Sequence, residues 1–215
     1  IGPLLGRLGS ALRSEGVDVG RILSIFSGET AVALSPARGG PRGHGRGPAL
    51  VILTRTRNQA ATREALAALE LPLAQLFPPP AAGPGQAAEF NDVQVAGVTV
   101  HQLSLAPGLQ VDYAVFQNLV VLATNLQAVA AVARHSHPLS GAAGYQATLG
   151  NRPDQVTSLL FLDFNQLLHL GEQMGLTRSA RLAALRPDLK KIRAIGLTST
   201  RGEADTTAEL FLQIP

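Results

Sequence analysis

The sequence has 215 residues, of which 46% are hydrophobic and 15% charged, and its formal net charge is +3. This composition is typical of a globular chain with an aliphatic core, and it excludes wholesale disorder. The chain has no cysteine, which excludes a disulfide scaffold, a thiolate metal site and a cysteine nucleophile. The positive charge is too small an excess to indicate a domain dedicated to nucleic acid.

Short apolar runs separated by turn residues predict most of the strands. The stretch VQVAGVTVHQLSL at 93–105 reads as one strand, and tight turns at Pro107-Gly108 and Gln117-Asn118 join it to the next two strands by hairpins. A last hairpin turns at Arg201-Gly202-Glu203. Helical periodicity predicts helices at 3–14, 18–26, 57–69, 125–134, 164–173 and 178–185. The sequence therefore predicts a single α+β domain over 1–215, with a largely antiparallel sheet built from hairpins and helices packed on it.

Three strand-to-helix junctions share one spacing. A short strand-like run ends at a capping residue, and a glutamine follows three positions later, as in a capping box. The glutamine of a capping box bonds back to the amide of the cap, which fixes the start of the helix. The pairs are Thr56 with Gln59, Thr124 with Gln127, and Asp163 with Gln166.

Two segments rich in glycine and proline read as loops. RGGPRGHGRG at 38–47 lies between two predicted strands and is not followed by a helix, so it does not match a dinucleotide-binding or phosphate-binding loop. It also lacks the aromatic residues that would stack on RNA bases, and we interpret it as a flexible hairpin tip. PPPAAGPGQAA at 78–88 reads as a second flexible loop or linker.

Few residues carry a signal for chemistry. His135 and His137 form an HxH pair that is a weak zinc candidate, because no third ligand suggests itself nearby. Asp163 follows a buried-looking run and is better explained as a helix cap than as an acid or base. No nucleophile, zinc or two-metal motif is present, so the sequence predicts no catalytic residue and no cofactor site.

The densest positive charge lies between 178 and 193. Residues three apart on a helix share a face, and such a face could contact anionic lipid headgroups or a polyanion; the alternative is an ordinary solvated surface. The residues are Arg178, Arg181, Arg186, Lys190, Lys191 and Arg193.

The succession of strand and cap patterns resembles a known family. The matching stretches, in chain order, are ETAVALSP, ALVILTRTRNQAATREALAAL, VDYAVFQNLVVLATN, GYQATLGNRPDQVTSLLFLDFNQLL and AELFLQI. Together they resemble an uncharacterised family of envelope proteins from high-GC Gram-positive bacteria, catalogued as a domain of unknown function. The resemblance implies an extracytoplasmic domain that forms the C-terminal part of a longer, membrane-anchored chain, and it supplies no catalytic or ligand residues.

Three hypotheses about function follow. The first is a non-enzymatic envelope module that binds a protein, a lipid or a cell-wall component. The second is an enzyme of unrecognised type, in which Asp163, His101 or the HxH pair would converge in one pocket. The third is weak binding of a polyanion or nucleic acid through the basic segment. The absence of nucleophile and metal motifs favours the first.

Overall fold

The computed structural model describes residues 25, 28–36, 48–76, 89–106, 109–136, 138–173, 175, 188–202 and 205–214. The chain divides into two compact units, the first comprising 1–34 with 39–134 and the second 35–38 with 135–215. The described elements are helices and antiparallel strands, which confirms the predicted α+β class. That the chain forms a single domain stays a prediction.

The first unit contains a six-stranded sheet with helices on both faces. The strand order across the sheet is β1-β2-β6-β5-β4-β3, and the registered pairs from β2 to β3 are all antiparallel. The elements are β1 (Thr30–Ser35), β2 (Ala49–Arg55), α1 (Gln59–Leu76), β3 (Phe90–Val95), β4 (Val98–Ala106), β5 (Leu109–Phe116), β6 (Leu119–Ala123) and α2 (Leu126–Ala133).

One predicted strand is in fact a hairpin. Residues 93–105 turn at Ala96-Gly97, and the preceding strand β3 starts earlier, at Phe90. Both turn residues have positive φ, 52° and 79°, which is the conformation of a two-residue turn that matches the twist of the sheet. The single-strand prediction was wrong because Ala96 is an unusual residue for a left-handed turn position. The Gln117-Asn118 turn is confirmed, and both of its residues also have positive φ.

The two faces of this sheet carry separate apolar cores. Tyr113 and Val115 of β5 face one core, which includes Leu66 and Leu69 of α1. The alternate residues Ala114 and Phe116 face the other core, with α2. Period-two alternation along the strand therefore divides the buried residues between two helices.

Asparagines, and not the predicted threonines, cap the first two helices. The Asn58 Oδ1 accepts from the Ala61 amide at 3.0 Å, and the Asn125 Oδ1 accepts from the Ala128 amide at 2.9 Å. Thr56 instead contacts Thr62, and Thr124 accepts from the Leu50 amide. The capping prediction was wrong at these two junctions because the helices begin two and one residues later than predicted, at Gln59 and Leu126.

Aspartate caps the helix of the third junction, as predicted. The Asp163 Oδ1 accepts from the Gln166 amide at 3.0 Å. Of the predicted helices, 125–134 and 164–173 are confirmed, and the helix predicted at 57–69 continues to Leu76. The predicted helices at 3–14 and 178–185 and the loops at 38–47 and 78–88 lie outside the described residues, as does all but Ile25 of 18–26.

The second unit contains a three-stranded antiparallel sheet in the order β7-β8-β9. Helix α3 was not predicted, and it packs on one face of this sheet, where the fully buried Leu149 lies against Gly196. The predicted final hairpin is confirmed by eight consecutive pairs between β8 and β9. The elements are a 3-10 turn (Leu139–Gly141), α3 (Ala143–Leu149), β7 (Ser158–Asp163), α4 (Phe164–Gln173), β8 (Ala194–Arg201) and β9 (Thr206–Gln213).

Candidate functional site

The structure does not group the described metal and catalytic candidates into a site that could hold a metal ion. His135 is exposed and has φ of 50°, directly after the C-cap of α2 at Arg134, while His137 lies outside the described residues. Within the part of the chain that the structure describes, no group of three or more histidine, aspartate or glutamate residues is arranged to hold a metal ion. His101 belongs to the first unit, whereas His135 and Asp163 belong to the second.

The second unit exposes the face of its sheet that is opposite α3. Leu160, Leu197 and Leu210 pair across the three strands as one row, and their exposed fractions are 46%, 38% and 71%. A second row lies on the same face, two residues further along each strand, and it consists of Leu162, Ile195 and Leu212. We call these six residues the leucine face. Contiguous exposed apolar patches are uncommon on monomeric proteins and are often functional, so this face is a candidate interaction surface.

Basic residues lie at both ends of the leucine face. On the central strand, Arg201 shares the face by alternation, and at the other end the exposed Arg193 directly precedes β8. Lys190 and Lys191 are exposed nearby in sequence, and Lys191 forms an ion pair with Asp188 at 2.7 Å. Arg178, Arg181 and Arg186, the other predicted basic residues, lie outside the described residues.

The opposite face carries the acidic side chains of these strands. By alternation, Asp163 of β7 and Glu209 of β9 share the α3 face with Phe211 and Gln213. Among the described residues of the three strands, the leucine face therefore carries no carboxylate. It combines apolar side chains with positive charge at its ends.

A cleft of about 510 Å³ opens beside the end of β9. Thr148 and Asn151, in and just after α3, line one side of it, and β9 supplies residues from both of its faces. The Thr148 Oγ1 lies 3.1 Å from the Gln213 Oε1 in this cleft. Because both faces of β9 line the cleft, it extends around the outer edge of that strand.

The first unit holds a polar cluster between α1 and the sheet, which we call the His101 cluster. The His101 Nδ1 lies 2.8 Å from the Asp92 Oδ1 and 3.2 Å from the Glu70 Oε1. The Tyr113 hydroxyl donates to the same Glu70 oxygen, and the imidazole stacks on the Tyr113 ring with 4.5 Å between centroids. These contacts connect α1 with three adjacent strands, β3, β4 and β5.

The polar groups of the His101 cluster bond to one another. Burial, followed by the hydrogen bond to Glu70, raises the pKa of Tyr113 well above its ordinary value of 10.0. The tyrosine therefore stays protonated and donates to the Glu70 carboxylate, while the two carboxylates share the Nδ1 of His101. Groups that satisfy one another in this way are suited to holding a helix on a sheet.

A buried aspartate lies on the opposite face of the same sheet. Asp112 is fully buried, and it accepts from the Gln102 Nε2 at 3.1 Å and from the Gln110 Nε2 at 2.7 Å. Burial raises the pKa of Asp112, although the two amide donors act in the opposite direction. The ionised carboxylate is thus only partly compensated by its two hydrogen bonds.

Asp112→Asn is expected to increase the free energy of unfolding at pH 7 by about 1 kcal/mol, because a neutral amide removes the charge and a flipped glutamine amide can accept from it. A raised pKa contributes stability that is present below the ordinary value of 3.8 and is lost as the pH rises through the folded value. The advantage of Asp112→Asn over the wild type should therefore shrink as the pH falls. Urea unfolding at pH 7 and pH 4 measures both effects, and a variant less stable than wild type at pH 7 would contradict this account.

Comparison with protein families gives one match. A family model described as "Protein of unknown function (DUF3352)" matches residues 4–214. The chain belongs to this family. The predicted resemblance to a family of unknown function is thereby confirmed, whereas source organism, anchoring and location stay predictions.

The other comparisons add no relative. Neither the curated proteins nor the solved structures contain a match to the chain. No helix in the described ranges is both long and apolar enough to cross a bilayer.

Sequence reasoning missed the leucine face, the His101 cluster and Asp112. Which face of the small sheet stays uncovered depends on the position of α3, a helix that the sequence did not predict. His101 and Asp112 looked like isolated polar residues within strand patterns, and their partners became evident only through the β3-β4-β5 register. Polar residues at buried strand positions were the one available signal.

Proposed function

We propose that the protein is a non-enzymatic binding module of the cell envelope that contacts an anionic lipid surface through the leucine face. The observation that supports this proposal is an exposed apolar sheet face with arginines at its ends and no described carboxylate on it. The resemblance to anchored envelope proteins agrees with such a surface. A cytosolic location of the native protein would contradict the envelope part of the proposal.

The expected contact is weak and reversible. Burying a whole leucine side chain is worth roughly 2 kcal/mol. The four exposed leucines of this face still expose about half of that area; they are Leu160, Leu197, Leu210 and Leu212. Four such residues supply about 4 kcal/mol, and each arginine or lysine near an anionic surface adds about 1 kcal/mol. The sum corresponds to peripheral attachment that salt weakens and that an anchor elsewhere in a longer chain would strengthen.

Co-sedimentation with vesicles tests this function. We expect the chain to bind vesicles that contain phosphatidylglycerol more strongly than vesicles of phosphatidylcholine alone. The double variant Leu160→Ser, Leu197→Ser removes the centre of the exposed row and should weaken binding about tenfold, since about 40% of each leucine's transfer free energy is lost.

The matched control is Leu159→Ser. Leu159 is 37% exposed and neighbours Leu160, but by alternation it lies on the α3 face of the sheet. We expect this variant to bind vesicles like the wild type. If the double variant binds as well as the wild type and only added salt removes the binding, the apolar contact is refuted. That result would support the alternative of polyanion binding through the basic segment.

A further inference from the structure

Strand β9 is an unprotected edge of the small sheet. Its eight residues pair with β8 in one continuous register, without a bulge, and on its other side no described residue pairs with its backbone. Edge strands usually carry lysine, proline or a bulge that prevents pairing with another chain. β9 has none of these, and its only charged residue is Glu209.

One of the two edge strands of the larger sheet, β3, differs in this respect. β3 has six residues and carries Asp92, which is engaged by His101. β9 instead exposes Leu210 and Leu212 along its length, followed by the exposed Ile214. A long, regular and apolar edge presents unpaired N–H and C=O groups at the spacing of a strand, so the occupant that it fits is another extended strand.

We propose that β9 pairs with the β9 strand of a second copy of this chain, antiparallel and around a two-fold axis at Leu210. Two-fold pairing within one sheet requires that paired residues lie on the same face. Centring the axis on Glu209 would place two carboxylates directly opposite each other, which is destabilising. Centring it on Leu210 pairs Glu209 with Phe211 of the second copy and leaves almost the whole strand paired.

This register extends the leucine face across the two copies. The row of Leu160, Leu197 and Leu210 continues into the same three residues of the second copy in reverse order. The cleft at the end of β9, beside Thr148 and Asn151, provides space on the α3 side for the incoming strand. The added interface is a single strand pair, below the roughly 1,200 Å² of a stable complex, so we expect association in the micromolar range.

The oligomeric state of the chain in solution, without lipid, tests this pairing independently of the proposed function. We expect sedimentation equilibrium of the wild type to show a monomer–dimer equilibrium. Leu210→Lys places two ammonium groups opposite each other on the axis and should weaken the dimer at least tenfold. Leu160→Lys is the matched control, because it makes the same change in the same row on β7, and it should dimerise like the wild type.

A charge-swap pair makes the test specific. Leu210→Lys mixed with Leu210→Glu should restore a mixed dimer, since opposite charges then meet on the axis. Circular dichroism checks that each variant is folded, which the 71% exposure of Leu210 favours. A wild type that stays monomeric at about 100 µM, well above a micromolar dissociation constant, would overturn the proposal. Equal loss of the dimer in Leu160→Lys, or no rescue in the mixture, would also overturn it.

Cysteine cross-linking provides a second, geometric readout. The chain has no cysteine, so Leu210→Cys introduces one thiol per copy. Directly opposite residues in an antiparallel pair have Cβ atoms about 4.5–5.5 Å apart, which small adjustments bring within reach of a disulfide. We expect mild oxidation to convert Leu210→Cys into a covalent dimer much faster than Leu160→Cys, and equal rates would contradict the assigned axis.

Discussion

Gly196→Ala is expected to lower the free energy of unfolding by about 3 kcal/mol, at the upper end of what overpacking costs. A Cβ at this position would lie 2.6 Å from the Cδ2 and 2.7 Å from the Cγ of Leu149. Leu149 is fully buried between α3 and the sheet, so its side chain cannot rotate away from the added methyl group. Urea unfolding, followed by circular dichroism, measures the loss.

Two further variants separate this clash from a general effect of alanine. Gly144→Ala adds a Cβ that meets the Phe161 Cζ at 3.8 Å, an ordinary contact, and it should be neutral or stabilising because Gly144 lies in α3. Leu149→Ala is destabilising alone, but it makes space for the methyl group, so the double variant should lose clearly less stability than the sum of the two. Additive losses would show that Leu149 is not the obstacle.

The same glycine illustrates what the sequence predicts and what it does not. The stretch IRAIGLTST indicates a strand, and the structure confirms β8 there. The sequence does not reveal that Gly196 allows the close approach of Leu149, because Leu149 belongs to α3 and that helix was not predicted. A seven-residue helix that contains Gly144 and is flanked by Gly141 and Gly150 gives too little periodicity for recognition.

Local rules failed where two residues compete for one role. At the first two junctions, threonine and asparagine both lie near the start of the helix, and both are good caps. The spacing to glutamine favoured Thr56 and Thr124, yet Asn58 and Asn125 bond to the helix amides. Thr124 is used by the sheet instead, where it accepts from the Leu50 amide, a contact 74 residues away in sequence. Such long-range demands are not visible in a local pattern.

The candidate surfaces depend on tertiary contacts even more strongly. The row of three leucines forms only when β7, β8 and β9 adopt their observed register, since a shift of one residue would turn these side chains towards α3. The His101 cluster likewise joins Glu70 of α1 to strands whose hairpin was misread as one strand. Composition and motifs could exclude several chemistries, but they could not locate either feature.

Tyr113→Phe is expected to lower the free energy of unfolding by about 2 kcal/mol at neutral pH, as for other hydrogen bonds to a charged group. The substitution keeps the ring against Phe90 and His101 and removes only the hydroxyl that donates to Glu70. Glu70 would keep its contact with His101, so α1 should remain docked. Urea unfolding at pH 7 measures the loss. Adding Glu70→Gln to the Tyr113→Phe variant should lower the free energy of unfolding only slightly further.

The pH dependence of this bond has a definite sign. Because burial and Glu70 raise the pKa of Tyr113, its contribution to stability is complete below the ordinary value of 10.0 and is lost as the pH rises above it, where the unfolded chain releases the proton first. Wild type should therefore lose stability above pH 10 more steeply than Tyr113→Phe. The chain has two tyrosines, and Tyr145→Phe leaves Tyr113 as the only absorbing phenol. Tyrosinate absorbance of that variant should rise only with unfolding, and a step near pH 10 in the folded state would refute the buried, carboxylate-bound hydroxyl.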